Sequence, residues 1–549
     1  MPSKEENARN GLPETDWRDA QYDMLYLPVT ETVRYHYDFN GNRTATVLPD
    51  GRQINYLYYG SGHLHQISLD DEVITDIERD KLHREIFRTQ GKLASRYELD
   101  PLGRLKRQIA TLNDLTEGGK GKTKVAAGYT QTAVKRSYGY DRTDNLTHST
   151  DQRTGTTRFE YDKLGRITQA GNELFAFDPA HNILSDDLNA IPDNRLKTYN
   201  GTTYYYDNFG NLIHRELADG EVQNYFYDLH DQLVKAEIFK KDGTKETWSY
   251  TYDALGRRIG KGRLKNEEVS NDLENHTRFV WDGSHLLQEI HPDGRYTYIY
   301  TAPDSYEPLA QVRDWATEDG ESRQQIHYFH CDQIGIPREM TDKDGNLLWF
   351  GNYTGWGRLK EETKVTDSAY QPFRLQNQYA DRETGLHYNL FRYYEPDAGR
   401  FVNQDPIGLE GGVNFYQFGF NVTLWVDTLG LTGTPIPNKI LGDSRETKAL
   451  RILKDKIKGT NAKIERERYL RDCKTGKSVR DKFGSRRRVD FVIIENNFGK
   501  CYEVTGPETD KTKQMAKEKE IRKKGGICIK PKGSKELIEV SMSQIMRII

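Results

Sequence analysis

The chain has only four cysteines in 549 residues (Cys331, Cys473, Cys501 and Cys528), and none forms a C-x-x-C pair. That spacing argues against a disulfide scaffold or a Cys-rich zinc site, and it fits a reduced compartment. No run of about 18 apolar residues occurs, so no membrane-spanning helix is expected. The start, Met1-Pro2-Ser3-Lys4-Glu5-Glu6, is polar and charged and does not read as a secretory signal. If the protein leaves its cell, a dedicated machine or a fused partner must carry it.

What is present is divided at residue 431. The net charge of −3 hides a split: residues 1–431 carry −17 and residues 432–549 carry +14. Such asymmetry points to different partners for the two parts, and a basic tail suits nucleic acid. Of 34 tyrosines, all but Tyr469 and Tyr502 precede residue 432. At this length at least two domains are expected.

Upstream of the split an aromatic-Asp step recurs with turn residues behind it. Examples are Tyr37-Asp38-Phe39-Asn40-Gly41-Asn42, Tyr161-Asp162-Lys163-Leu164-Gly165-Arg166, Tyr206-Asp207-Asn208-Phe209-Gly210-Asn211 and Tyr252-Asp253-Ala254-Leu255-Gly256-Arg257. Period-2 alternation around each step predicts a short strand, a turn and a second strand. One hairpin cannot bury enough surface, so neighbours must join into a continuous sheet, with tyrosine ladders between them.

These motifs resemble the Rhs/YD-repeat family over roughly residues 33–431. The string from Gln376 to Leu431 carries the resemblance furthest: Gly385-Leu386-His387-Tyr388, Arg392-Tyr393-Tyr394-Glu395-Pro396, Asp405-Pro406-Ile407-Gly408-Leu409 and Asp427-Thr428-Leu429-Gly430-Leu431. The resemblance implies an all-β spiral sheet wound into a shell around a C-terminal toxin. Residues 1–32 then form a polar lead-in, 33–375 the repeat shell, 376–431 an aspartyl autoprotease and 432–549 the toxin. It also implies cleavage of the Leu431–Thr432 bond by Asp405 and Asp427, with Arg400 nearby. Two carboxylates sharing a site are driven apart in pKa, so one can activate water while the other protonates the leaving amide. The chain has Asn421-Val422 and Asp427-Thr428 where the family usually has Asn-Pro and Asp-Pro. About 400 repeat residues is short for such a shell, which motivates a homodimer of half-shells.

In the tail, a helix is expected over Ser444–Lys458, a strand over Lys463–Leu470, and a helix over Asp510–Lys524 before Gly525-Gly526. Between them Val489-Asp490-Phe491-Val492-Ile493-Ile494, the turn Asn496-Asn497-Phe498-Gly499, and Cys501-Tyr502-Glu503-Val504-Thr505 read as a hairpin. A turn centred between Asn496 and Asn497 sets Asp490 opposite Glu503. A turn centred one residue later sets Asp490 opposite Thr505, with Glu503 diagonal. Both place the two acids on one face. Such a pair suits Mg²⁺, which takes one or two carboxylates plus water and phosphate oxygens.

This arrangement resembles the PD-(D/E)xK nuclease superfamily, a small α/β restriction-endonuclease-like fold, with Asp490 and Glu503 as its acids. Thr505 stands where that family has lysine, so the resemblance shifts the role to Lys511 or Lys513, with Gln514 beside them. A further acidic ligand would come from Glu446, Glu465 or Glu467. Arg486, Arg487 and Arg488 could grip phosphates.

The expectation is therefore an antibacterial effector that self-cleaves and releases a metal-dependent DNase. RNA or tRNA is the alternative substrate, and a non-enzymatic YD-repeat interaction protein is the alternative class. The family resemblance further implies a cognate immunity protein, a secretion-machine spike or adaptor, a cytoplasmic producer stage and delivery into a target cell.

Overall fold

The computed structural model describes residues 30–59, 62–112, 132–184, 191–265, 273–317, 319–366, 369–431, 433–435, 452–454, 456–480, 487–505, 512–531, 534 and 536–547. The repeat motif explains its own turn. In the unit around Asp162, Oδ1 accepts the N–H groups of Leu164 at 2.9 Å and Arg166 at 3.0 Å. Oδ2 takes the Arg166 Nε at 2.6 Å, and Gly165 N–H returns to the Asp162 carbonyl at 3.0 Å. The same set recurs at Asp253 with Leu255 and Arg257. Where asparagine replaces arginine, as in Asp178 and Asn182, its amide fills the same place at 2.8 Å. The aspartate thus fixes each turn from within. Gly165 sits at φ +80°, a left-handed value that a side chain disfavours.

The tyrosine before the aspartate joins one unit to the last. In several units its hydroxyl donates to the carbonyl of the first residue after the preceding turn. Tyr140 reaches Leu105 at 2.8 Å, Tyr161 reaches Leu146 at 2.9 Å and Tyr252 reaches Leu233 at 2.8 Å. Trp281 does the same with its indole N–H, to Arg258 at 2.7 Å. The units are therefore stitched by hydrogen bonds as well as by ring packing.

The chain divides into two compact units at Asp76 and Ile77. The first holds Arg34–Tyr37, Arg43–Val47, Gln53–Tyr59, His63–Leu69 and the start of Glu72–Arg79, each antiparallel to the one before. The second continues as nearest-neighbour meanders, one ending at Glu173–Leu174 and another running from Thr198–Tyr199 to Leu359–Lys364. Its core gathers inward tyrosines such as Tyr225, Tyr250 and Tyr298 around the segment that follows the repeats. That segment forms a small sheet of Tyr379–Ala380, His387–Asn389, Arg392–Glu395 and Arg400–Phe401. Buried ion pairs tie it to the repeats: Arg258 with Asp381 at 2.6 Å, Lys261 with Asp381 at 3.0 Å, and Arg215 with Glu395.

The tail is a mixed sheet in the order Lys463–Tyr469, Arg488–Glu495, Phe498–Thr505, Ile538–Val540, Gly526–Ile529, Arg471–Asp472, with Gln544–Arg547 also parallel to Phe498–Thr505. The helix Thr512–Lys523 packs Ile521 with Val492, Cys501 and Ile529. Phe491, Ile493, Tyr502 and Val504 cluster instead with Leu453. The expected second helix is present and ends before Gly525 at φ +90°. Of the expected first helix, residues 452–454 and 456–457 are helical, and Ser444 lies outside the described residues.

One expectation is corrected here. Cys473 and Cys528 form a disulfide across 55 residues, with Cα atoms 5.2 Å apart. Sheet pairing of Arg471 with Cys528 brings them together, which sequence spacing does not reveal. Cys331 and Cys501 are free and buried.

Candidate functional site

Two sites collect the chemistry. The first lies at the end of the repeat region. Arg392 is buried and its Nη2 stands 3.0 Å from Asp405 Oδ2 and 3.4 Å from Asp427 Oδ2. The guanidinium also donates to the carbonyls of Phe415, at 3.0 Å, and Gly430, and its plane covers the Phe401 ring at 3.6 Å. Burial, more than the two carboxylates offset, pushes Arg392 down to about 10. Burial likewise raises both Asp405 and Asp427 above the ordinary aspartate value.

The end of the segment that follows the repeats runs into this pair. Asp427 Oδ1 accepts the Leu431 N–H at 3.0 Å, and the Asn389 amide holds the Asp427 carbonyl at 2.8 Å. Gly411 faces both Asp405 and Leu431: a Cβ there would lie 2.1 Å from Asp405 Oδ2 and 2.9 Å from the Leu431 carbonyl oxygen. Thr432, on the far side of the expected scissile bond, lies outside the described residues. Asn421, where the usual proline is lost behind it, donates to the Gly165 carbonyl at 2.7 Å and so anchors its loop to a repeat turn.

Arg400 is not the arginine of this pair. Its guanidinium bonds Asn182 Oδ1 at 3.2 Å and the Asn194 carbonyl, and lies over the Tyr416 ring at 4.7 Å. Arg400 starts the last strand of the small sheet and turns toward Asn182 and Asn194, whereas Arg392 reaches the aspartates. Arg392 lies in the Arg392-Tyr393-Tyr394-Glu395-Pro396 string that marks this segment, the one signal that could have found it.

The second site is the tail hairpin. Phe491 pairs with Tyr502 and Glu495 with Phe498, and Asn496 and Asn497 both have positive φ, at 49° and 63°. This is the two-residue turn whose register continues to Asp490 opposite Glu503. Asp490 Oδ2 accepts the Val504 N–H at 2.8 Å. Glu503 is buried, and its Oε2 takes Arg487 Nη2 at 2.6 Å.

Arg487 is therefore a correction: it is buried and ion-paired rather than offered to phosphate. Glu465 is paired with Arg468 at 2.6 Å. By the pairing of Glu465 with Val492 it shares the Asp490 face. Glu446, Arg486 and Lys511 lie outside the described residues, as do the side chains of Glu467, Arg488, Lys513 and Gln514. Among the described residues no group of three His, Cys, Asp or Glu side chains converges as a metal site. Asp490 and Glu503 share one face of the hairpin by register, and two carboxylates are the number and type that Mg²⁺ takes from a protein.

Antiparallel meanders of Asp-fixed hairpins, followed by an Arg-bridged aspartate pair, define a repeat-protein class. Residues 140–174 match the RHS Repeat family and residues 326–363 the RHS protein family. The chain is thus an RHS-repeat protein. Over 425 residues it is 38% identical to the "Double-stranded DNA deaminase toxin A" of Burkholderia cenocepacia (strain H111), covering 73% of this chain and 29% of that one. It is 30% identical to the "Toxin protein Tse5" of Pseudomonas aeruginosa, covering 75% and 34%. With the "Probable deoxyribonuclease RhsB" of Dickeya dadantii (strain 3937) it shares 29% identity, covering 77% and 28%. The chain spans about a third of the length of these relatives. Among solved structures, that of TcdB2-TccC3-TEV superposes with a TM-score of 0.52 at 18% identity, covering 76% of this chain and 22% of that one. That likeness establishes the repeat fold.

Proposed function

We propose that this chain is an antibacterial RHS effector that cuts itself after Leu431 and releases residues 432–549 as a metal-dependent nuclease acting on DNA. The observation that carries the first half is the placement of Leu431 on the aspartate pair. Asp427 fixes the Leu431 N–H, and Gly411 leaves room for the Leu431 carbonyl beside Asp405. Burial raises both acids and both face Arg392; in this reading one of them carries the proton and the other is ionised. The ionised carboxylate takes a proton from water as that water adds to the Leu431 carbonyl. The protonated one gives its proton to the departing Thr432 nitrogen.

The second half rests on Asp490 and Glu503, opposed on one face of a basic tail, and on relatives named as toxins, one of them a deoxyribonuclease. Mg²⁺ held there would supply charge stabilisation and an activated water for phosphodiester hydrolysis. Asp490 is held in place by the Val504 N–H, and Glu503 by Arg487. Among the described residues no helix is long and apolar enough to cross a membrane. We assign delivery to a secretion-machine spike or adaptor, carrying the effector from the producer cytoplasm to a target cell. A cognate immunity protein would guard the producer.

The test pairs two variants. Wild-type protein should run as two fragments on a denaturing gel and degrade plasmid DNA with Mg²⁺. Asp427→Asn should stay whole. Asp490→Asn should cleave itself normally and leave DNA intact. Loss of RNA in place of DNA would move the substrate to RNA, and an uncut wild type would remove the self-release reading.

A further inference from the structure

The chain turns back on itself across the expected cut. Trp425–Val426 and Thr434–Pro435 are antiparallel strands, with Val426 opposite Thr434 and Trp425 opposite Pro435. Residues 427–433 are thus the loop of one hairpin, and that loop holds both Asp427 and the Leu431–Thr432 bond. At the far end of the loop Gly433 lies against another stretch of backbone. A Cβ there would lie 2.3 Å from the Phe418 carbonyl oxygen and 3.4 Å from the Gly419 Cα. A side chain would have to move the chain by about 1 Å to reach ordinary contact distance. The receiving surface is fixed. Val426 and Phe418 are buried in the core that gathers the repeat tyrosines, and the Phe418 ring packs with Tyr394 and Phe401 at 5.1 and 5.9 Å. The Trp425 N–H donates to the Asn421 carbonyl at 3.0 Å, and the Trp425 ring stands edge-on to Phe420 at 4.9 Å.

We propose that Trp425–Val426, with the Phe418 carbonyl beside it, is the subsite that seats the chain beyond the cut, and that Gly433 is its specificity-determining residue. The inference rests on the self-cleavage reading. The bond to be cut is then held from both sides. Asp427 Oδ1 fixes the Leu431 N–H before it, and strand pairing fixes residues 434 and 435 after it. An amide held on one side only can swing away from the acids, and holding both sides removes that freedom before the reaction starts. Backbone pairing reads no side chain, so the subsite accepts an extended segment that carries glycine as the second residue after the cut. Gly433 supplies no proton and acts by position alone.

The experiment follows cutting of the full chain on denaturing gels, after pulse-labelled cell-free synthesis and transfer to a series of pH values. Gly433→Ala should cut about tenfold or more slowly, since a misplacement of about 1 Å costs on the order of 100-fold. The acids are untouched, so the shape of its pH profile should match that of the wild type. Purified Gly433→Ala should melt as the uncut Asp427→Asn chain does. Thr434→Pro, which takes an N–H from the paired strand, should slow the cut as well. Gly442→Ala, the same change further along the tail, should cut at the wild-type rate. A wild-type rate in Gly433→Ala overturns the subsite and leaves self-cleavage standing. Equal slowing in Gly433→Ala and Gly442→Ala, or a shifted pH profile in Gly433→Ala, overturns it too. Should Gly433→Ala fail to melt cooperatively, Thr434→Pro alone decides. A wild-type chain that never cuts removes the self-cleavage reading and the subsite together.

Discussion

Asp427 holds the N–H of Leu431 at 3.0 Å, while its other oxygen faces Arg392 at 3.4 Å. One carboxylate thus positions the chain to be cut and belongs to the pair assigned to cut it. Asp427→Asn keeps the contact to Leu431 but loses the acid, so it should abolish cleavage with the fold intact. Arg392→Gln should lose cleavage and also stability, by about 3 kcal/mol or more, because two buried carboxylates would face each other unpaired. Gel analysis with a thermal melt separates the two outcomes.

The pair should give cleavage a characteristic pH dependence. Burial raises Asp405 and Asp427 in the fold. A raised acid is protonated more readily when folded, so its contribution to stability is complete below the unfolded value and fades as pH rises through the folded one. The proton needed by the leaving amide is lost over the same window. Self-cleavage of freshly refolded protein should be fastest in mild acid and slow toward alkaline pH, with Arg392 charged throughout. A rate that climbs steadily to pH 9 would count against the acid pair.

Gly411 sets a steric test. A methyl group there would meet Asp405 and the Leu431 carbonyl at 2.1 and 2.9 Å. Gly411→Ala should block or strongly slow cleavage with little change in melting temperature, since the 408–411 turn is at the surface. An unimpaired cut in this variant would mean that Leu431 reaches the acids by another route.

The turn aspartates predict an acid limit for the repeat sheet. Burial raises Asp162, but bonds from Arg166 and Leu164 outweigh it and hold the carboxyl below its usual value. Stability from such a lowered acid is present above the unfolded value near 3.8 and is lost as pH falls through the folded one. Asp162→Ala should cost about 2 kcal/mol at neutral pH and little in strong acid, measured by denaturant melts at both.

The Cys473–Cys528 bond should stabilise the tail by about 4 kcal/mol through loop closure. Reduction and Cys528→Ser should each lower its unfolding free energy by about that amount, measured by denaturant melts. A native thiol assay should find Cys331 and Cys501 unreactive, because both are buried.

The parts legible in the sequence are those set by near neighbours. The Tyr-Asp turns follow from residues within five positions, and the Asn496-Asn497 turn from a two-residue rule. That turn alone decides between the two registers considered for Asp490. What stayed hidden is set by long-range packing. Arg392 meets Asp405 and Asp427 from 13 and 35 residues away, Arg487 turns inward to Glu503, and two cysteines meet across the tail sheet. Arg400 has the right chemistry and lies only five residues from Asp405 in sequence. Its strand turns it to Asn182 instead.

That last contact has a consequence for timing. Each repeat hairpin can close as soon as its own residues exist, since every strand pairs with the next. The segment with the aspartate pair cannot: Arg400 needs Asn182, Tyr416 needs the carbonyl of Gly210, and Arg258 needs Asp381, across 218, 206 and 123 residues. The segment that carries the aspartate pair is therefore assembled against a finished sheet. If the proposed self-cleavage operates, a ribosome still making residues 77–376 would carry no assembled aspartate site, and the cut would wait for completion of the structure that precedes it.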